Sequence, residues 1–353
     1  MTQQSEKAVG DQTAEGSPGG SSGEDGKTKV TILMALGANL VIAVAKAAGG
    51  LFAGSPALLS EAAHSVADSL NEVFLLASLK RSKRAPDTEH PFGYGKDRFF
   101  WSLLAAVGIF TMGGCFSVFQ GFEALRSSGE ESHTGYLVGL GVLVVALLAE
   151  AASLAKALLQ LRGQAREAGR GLLQQIKLAE DPALRTVLAE DGTAVIGVLL
   201  AIAGMALHMA TGQVQWEAGA SLAIGVLLIY VAYRLGKDAR GQLIGEAVDP
   251  GLQLRIRSFL AEQPEVDAVT SLLTMRLGMD STLVAARVDL VGGLDSEEVE
   301  EVSGRIKREM RKKWPKADQV FLDITDASDE DRSRAGRDRE RLDGEAAEHP
   351  AGR

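Results

Sequence analysis

The chain has one cysteine, sparse aromatics (5%) and only five histidines in 353 residues. A single thiol, Cys115, excludes a disulfide framework and a thiolate metal cluster. Lying inside an apolar run, it reads as a small buried apolar residue. Basic charge is also short. Lysine and arginine number 37 against 46 acids, a formal net charge of −9, and with no basic, aromatic-studded face this argues against a nucleic-acid partner. No nucleophile–base set and no phosphate-cradling loop appears, so the chain does not read as an enzyme and no cofactor is expected. The first stretch, residues 1–27, lacks the basic start and apolar centre of a signal peptide. It is rich in Gly, Ser, Glu and Gln and reads as a disordered tail, as does the mixture of acids and arginine from 328 to 353.

What the chain does have is hydrophobicity gathered into blocks. An apolar fraction of 46% is ordinary for a soluble protein, but here it recurs in runs of about 20 residues, the length a bilayer requires. Six such blocks run over 30–53, 56–79, 100–125, 136–159, 184–209 and 216–235. Forty glycines and few aromatics suit helices whose backbones approach closely, since lipid supplies no hydrophobic drive for helix association.

The charges between the blocks give an orientation. Lys27 and Lys29 precede the first block. Lys80, Arg81, Lys83, Arg84, Lys96 and Arg98 lie between the second and third, and Arg162, Arg166, Arg170, Lys177 and Arg185 between the fourth and fifth. Arg234, Lys237 and Arg240 follow the sixth. The alternate loops, 54–55, 127–135 and 210–215, carry almost no basic residues. Six spans over residues 28–244 with both termini cytoplasmic satisfy every loop. With no organelle-targeting presequence visible, the inner (cell) membrane of a bacterium is the expected location.

Beyond Gly245 the periodicity changes. Asp249-Pro250 opens a helix over 252–260, strands are expected over 266–276 and 282–291, an amphipathic helix over 296–313 and a last strand over 319–324. That order, within residues 245–327, reads as a small two-layer α+β cytoplasmic domain. It contains no His and no Cys, so a histidine-based regulatory metal site is not expected there.

Ionisable groups inside a membrane helix cost about 2.5–3.5 kcal/mol at its centre on insertion scales, and so mark function or an internal pair. The second block carries Glu61, His64, Asp68, Asn71 and Glu72. Steps of three and four place Glu61, His64, Asp68 and Asn71 on one stripe. His64 and Asp68, at i and i+4, are separated by about 40° around the axis and can converge on one ion. Imidazole nitrogen with carboxylate oxygen suits Zn²⁺ and tolerates Mn²⁺, Fe²⁺ or Co²⁺. The alternative is a His–Asp hydrogen bond that fixes packing. One helix supplies two ligands where a tetrahedral ion takes four. The fifth block opens on Glu190-Asp191, and Asp191 is the favoured partner, with Glu190 either a further ligand or a carboxylate paired to a base such as Arg185. Glu150, Ser153 and Lys156 recur at helical spacing in the fourth block, as an internal pair or a proton route. His208 reads as an interfacial residue.

The run Ser55-Pro-Ala-Leu-Leu-Ser-Glu-Ala-Ala-His-Ser-Val-Ala-Asp-Ser-Leu-Asn71 resembles the second transmembrane helix of the cation diffusion facilitator family. The run His90-Pro-Phe-Gly-Tyr-Gly-Lys96 resembles the motif that family carries between helices two and three. The resemblance covers about residues 28–327. It implies a ferredoxin-like cytoplasmic domain, a homodimer, and export of a divalent metal coupled to proton entry through inward- and outward-facing states. Carried over by position, the transport site resembles His64 and Asp68 with Asp191. Zinc-selective members usually have His or Asp where this chain has Val187. The Glu190-Asp191 pair is similar to the branch that includes the animal mitochondrial zinc transporter, which makes Zn²⁺ the expected cargo. A manganese, iron or cobalt exporter of the same fold, or a non-transporting membrane sensor or scaffold, is the rival reading. Asn39 and Asn71 read as helix-packing hydrogen bonders. Asp87 and His90 match a second metal position of some members, with Tyr94 at a third. The competing reading makes this loop a structural turn, with Lys96 and Arg98 anchored at lipid headgroups.

Overall fold

The computed structural model describes residues 21–126, 133–167 and 182–348. The membrane part comprises α1 (Ser21–Ala53), α2 (Pro56–Arg81), α3 (Asp97–Gly108), a π-helical turn (Ile109–Cys115), α4 (Phe116–Arg126), α5 (His133–Glu167), α6 (Pro182–Thr211) and α7 (Gln215–Ile244). The described part is thus mostly helical, and among the described residues five stretches are long and apolar enough to cross a membrane: 36–53, 97–126, 134–163, 190–211 and 215–244.

The second block, α2, is a helix of comparable length but falls outside that set because of its polar residues. Its position explains them. It packs against α1, α3, α4, α6 and α7, so its polar side chains face neighbouring helices. Ser60, Glu61, His64, Ser65 and Ser69 are all buried. The helix starts where the sequence directs it: Ser55 caps the Leu58 amide with its side chain, and Pro56 at the first turn forfeits only an amide that would have had no partner. The shared core is built from Leu58, Leu143, Val198, Met205, Ile224 and Leu228. Large apolar side chains such as Val41, Val44, Phe119, Phe122, Val145 and Leu148 point outward, as helices in contact with lipid require.

Two expectations are corrected here. Cys115 is exposed, because the neighbouring glycines of the π turn take the packed side. A Cβ on Gly114 would lie 2.7 Å from Ile229 of α7. The stretch 1–27 was expected to be a tail throughout, yet α1 already begins at Ser21; residues 1–20 lie outside the described part.

The remainder forms a small α+β unit: α8 (Pro250–Ala261), β1 (Val266–Arg276), β2 (Thr282–Leu290), α9 (Ser296–Lys313) and β3 (Gln319–Ile324). Its three-stranded sheet has the order β1-β2-β3, with β1–β2 antiparallel and β2–β3 parallel. The parallel pair follows from α9, which carries the chain back across one face. Asp295 and Glu298 form a reciprocal capping box at the start of α9. Ile256, Leu260, Val284, Val288, Ile306 and Met310 form the core. The C-terminal expectation needs a correction: Asp329–Glu348 is a helix, α10, rather than a disordered tail. Arg257 accounts for its docking, donating to the Val269 and Ala335 carbonyls at 2.8 and 2.9 Å.

The two parts meet through the loop between α2 and α3. A Cβ on Gly95 would lie 2.5 Å from the Leu277 carbonyl oxygen, so only glycine permits this approach. Lys96 reaches the Leu243 carbonyl and the Met275 sulfur, both at 3.5 Å.

Candidate metal-transport site

His64 and Asp68 lie one turn apart on α2, with Nε2 to Oδ2 at 3.7 Å. That is too long for a hydrogen bond, so a mutual bond does not explain the pair. The His64 side chain is 5% exposed and that of Asp68 25%. Neither ring nitrogen of His64 has a hydrogen-bond partner among the described residues. Buried imidazoles are normally bonded, so two unused nitrogens beside a carboxylate are the strongest local sign of a ligand position.

Asp191, near the start of the apolar part of α6, accepts a 2.6 Å hydrogen bond from Ser153 of α5. It lies within electrostatic reach of Asp68. Glu190 is engaged differently, accepting from the Asn71 amide at 2.9 Å. Asn39 donates to Glu72 over the same distance. Both asparagines therefore bridge helices, as their sequence positions led us to expect. Glu150 faces the same region, within reach of Lys46, Asp68, His64 and Asp191, whereas Lys156 is exposed. Among the described residues, no group of three or more His, Cys, Asp and Glu side chains is arranged to hold a metal ion. The bundle thus gathers the expected donors around one region without closing them into a coordination sphere.

The loop motif forms a compact turn. Asp87 accepts the backbone amides of Glu89 and His90 on one oxygen, at 3.1 and 2.7 Å, and the Tyr94 hydroxyl on the other at 2.7 Å. The hydrogen bond from Tyr94, then that from the His90 amide, hold the Asp87 carboxyl below its ordinary range; the same contact pushes the Tyr94 phenol up. His90 stacks near Tyr94 at 4.3 Å between centroids, and Arg84 sits 4.5 Å above the phenol ring. This geometry favours the turn reading over a second metal position.

Two buried groups, Lys46 and Glu217, escaped the sequence reading. Lys46 of α1 pairs with Glu61 at 3.0 Å, and both side chains are fully buried. Its signal was available, as a lone charge inside the first apolar block. Glu217, at the head of α7, is fully buried; it bonds Ser55 through one oxygen and His208 Nδ1, at 2.7 Å, through the other. His208 also lies 3.1 Å from the Tyr136 hydroxyl. It is a buried link between α5, α6 and α7, which corrects its assignment to the membrane interface: Tyr136 and Glu217 satisfy its polarity inside the bundle.

A helical bundle with a polar central helix, flanked by apolar helices and carrying unpartnered donors, is the build of a membrane protein that handles ions within its core. Residues 32–244 match the family model described as the cation efflux transmembrane domain, and the chain belongs to that family, the cation diffusion facilitators, which are transporters. It is 33% identical to metal tolerance protein C4 of Arabidopsis thaliana over 264 residues, 74% of this chain and 56% of that protein. It is 31% identical to the human mitochondrial proton-coupled zinc antiporter SLC30A9 over 242 residues, 69% of this chain and 42% of that one. The manganese efflux system protein MneP of Bacillus subtilis is 24% identical over 298 residues, 83% of this chain and 94% of its own length. The chain spans about half the length of the plant and animal relatives.

Proposed function

We propose that the protein exports a divalent cation, with Zn²⁺ as the leading cargo, in exchange for protons, binding the ion between α2 and α6. The observation that carries this reading is the buried His64 with two unbonded ring nitrogens one turn from Asp68. Asp191 is the third ligand, and Glu190 the fourth candidate. Ligation requires neutral His and ionised Asp, so loading releases protons, and protonation from the far side releases the ion. Closing the site requires Asp191 to exchange its Ser153 contact for the ion, a step that a relative shift of α5 and α6 supplies.

In this reading α2 completes six spans, enclosed by the five apolar stretches, and the basic loops place both termini on the cytoplasmic side. The α+β unit is then a ferredoxin-like cytoplasmic domain of a homodimer embedded in lipid. We take its membrane to be that of a bacterial cell, although the relatives of higher identity are plant and animal proteins. Zinc is favoured by the name of the animal relatives. Manganese is the second reading, favoured by the Bacillus match and by Val187, which offers no donor one turn before Asp191.

The test is zinc flux into proteoliposomes under a proton gradient, wild type against Asp68→Ala, with Mn²⁺ as competitor. Gradient-driven zinc uptake lost in the variant is the expected result. Manganese flux without zinc flux replaces the cargo. No flux of either ion from folded protein sinks the transport reading and moves the protein to the sensor class.

A further inference from the structure

Lys46 is the one buried Lys or Arg among the described residues of the membrane helices. Its ammonium lies 3.0 Å from Glu61 Oε2 and 2.9 Å from the Ser65 hydroxyl, which places it beside the α2 turn that bears His64. Glu61 is not quenched symmetrically: its second oxygen, Oε1, has no hydrogen-bond partner among the described residues and points toward Gly197 of α6, where it leaves no room for a Cβ. A buried ion pair is a poor device for stability alone, because apolar side chains of similar volume usually serve as well. Here the surrounding groups give the charge another effect. Lys46 acts electrostatically on Asp68 and on Glu150, in a medium that screens little.

We propose that Lys46 is an affinity-determining residue for the transported ion, a tethered cation whose charge beside the His64–Asp68 pair opposes the incoming dication. It steadies the carboxylates while no ion is bound and weakens the hold on the ion once it arrives, so the site can release its cargo. Glu61 moderates that repulsion by taking up part of the lysine's charge. Lys46 is thus a positioning residue that acts through charge, and the inference rests on the transport reading above.

The test is the concentration dependence of Zn²⁺ flux in proteoliposomes, together with Zn²⁺ titration of the purified full-length protein. Lys46→Gln keeps a hydrogen-bonding side chain and removes the charge; it is expected to lower KM and the zinc dissociation constant by about threefold or more and to slow turnover. Glu61→Gln leaves the lysine unopposed and is expected to shift both constants the other way. The double variant, which removes both charges, is expected to fall back close to wild type. Where Lys46→Gln fails to fold, the comparison of Glu61→Gln with the double variant decides the matter: KM raised by the first and restored in the second supports the inference, and any other pattern overturns it. Single variants that shift KM in the same direction, or leave KM unchanged while turnover falls, make the pair merely structural. That result leaves transport standing if Asp68→Ala abolishes flux. A wild type that carries no divalent cation overturns both readings.

Discussion

The side-chain amide of Asn71 on α2 donates to Glu190 Oε1 on α6 over 2.9 Å, so of two adjacent acids Glu190 is held by α2 and Asp191 by Ser153 of α5. Glu190→Gln keeps an oxygen for Asn71, and flux is expected to stay within about threefold of wild type. Asp191→Asn is expected to lower it by about ten- to a hundredfold, the loss that weakening the support of a bound metal typically brings. Initial zinc uptake rates check both. Equal losses would make Glu190 a ligand of the same standing.

At Gly197 the α6 backbone runs against the Glu61 carboxylate, with no room for a methyl group. Gly197→Ala is expected to destabilise the protein by about 1–3 kcal/mol, the usual range for overpacking. The measurement is the detergent-solubilised thermal midpoint, and the same substitution should cost less in a Lys46→Met, Glu61→Ala background, which opens that space without stranding a buried charge.

His208 and Glu217, 2.7 Å apart and both buried, tie α6 to α7, while Ser55 brings in the start of α2. Glu217→Ala removes the acceptor that His208 and Ser55 share and is expected to cost about 1–3 kcal/mol for each hydrogen bond lost. Tyr136→Phe removes one hydroxyl and should cost nearer 1 kcal/mol. Chemical denaturation of the purified protein ranks them; a ranking with Tyr136→Phe worse would refute the network's order.

Asp87 has both carboxylate oxygens occupied as acceptors, so Asp87→Ala is expected to leave zinc stoichiometry at neutral pH unchanged, as equilibrium dialysis can verify. Its depressed pKa carries a sign. The contacts it makes contribute stability to the turn above the ordinary carboxylate pKa, and that contribution is lost as pH falls through the lowered folded value. Tyr94→Phe removes the largest cause and should move the Asp87 titration upward toward 3.8, readable by NMR of labelled aspartate carboxyls.

Much of this architecture is present in the order of residues. Apolar blocks of bilayer length place the membrane helices, because the cost of exposing polar backbone in lipid leaves few alternatives. Ser55-Pro56 marks the start of α2 and Asp295 with Glu298 the start of α9, since capping is local chemistry. The stripe bearing His64 and Asp68 follows from helical periodicity alone. Which partners those residues meet does not. That Lys46 lies against Glu61, that Glu190 is engaged by Asn71, and that His208 turns inward to Glu217 depend on how separate helices pack. Sequence spacing describes one helix at a time and carries no rotation of one helix against the next. The helix at 329–348 was hidden for the same reason: its residues are too polar to signal burial, and its docking rests on Arg257, contributed by α8 far away in the chain. Local chemistry determined the elements; the choice among buried charge partners was left to the packing, because that choice is worth free energy only once the low-dielectric interior has formed.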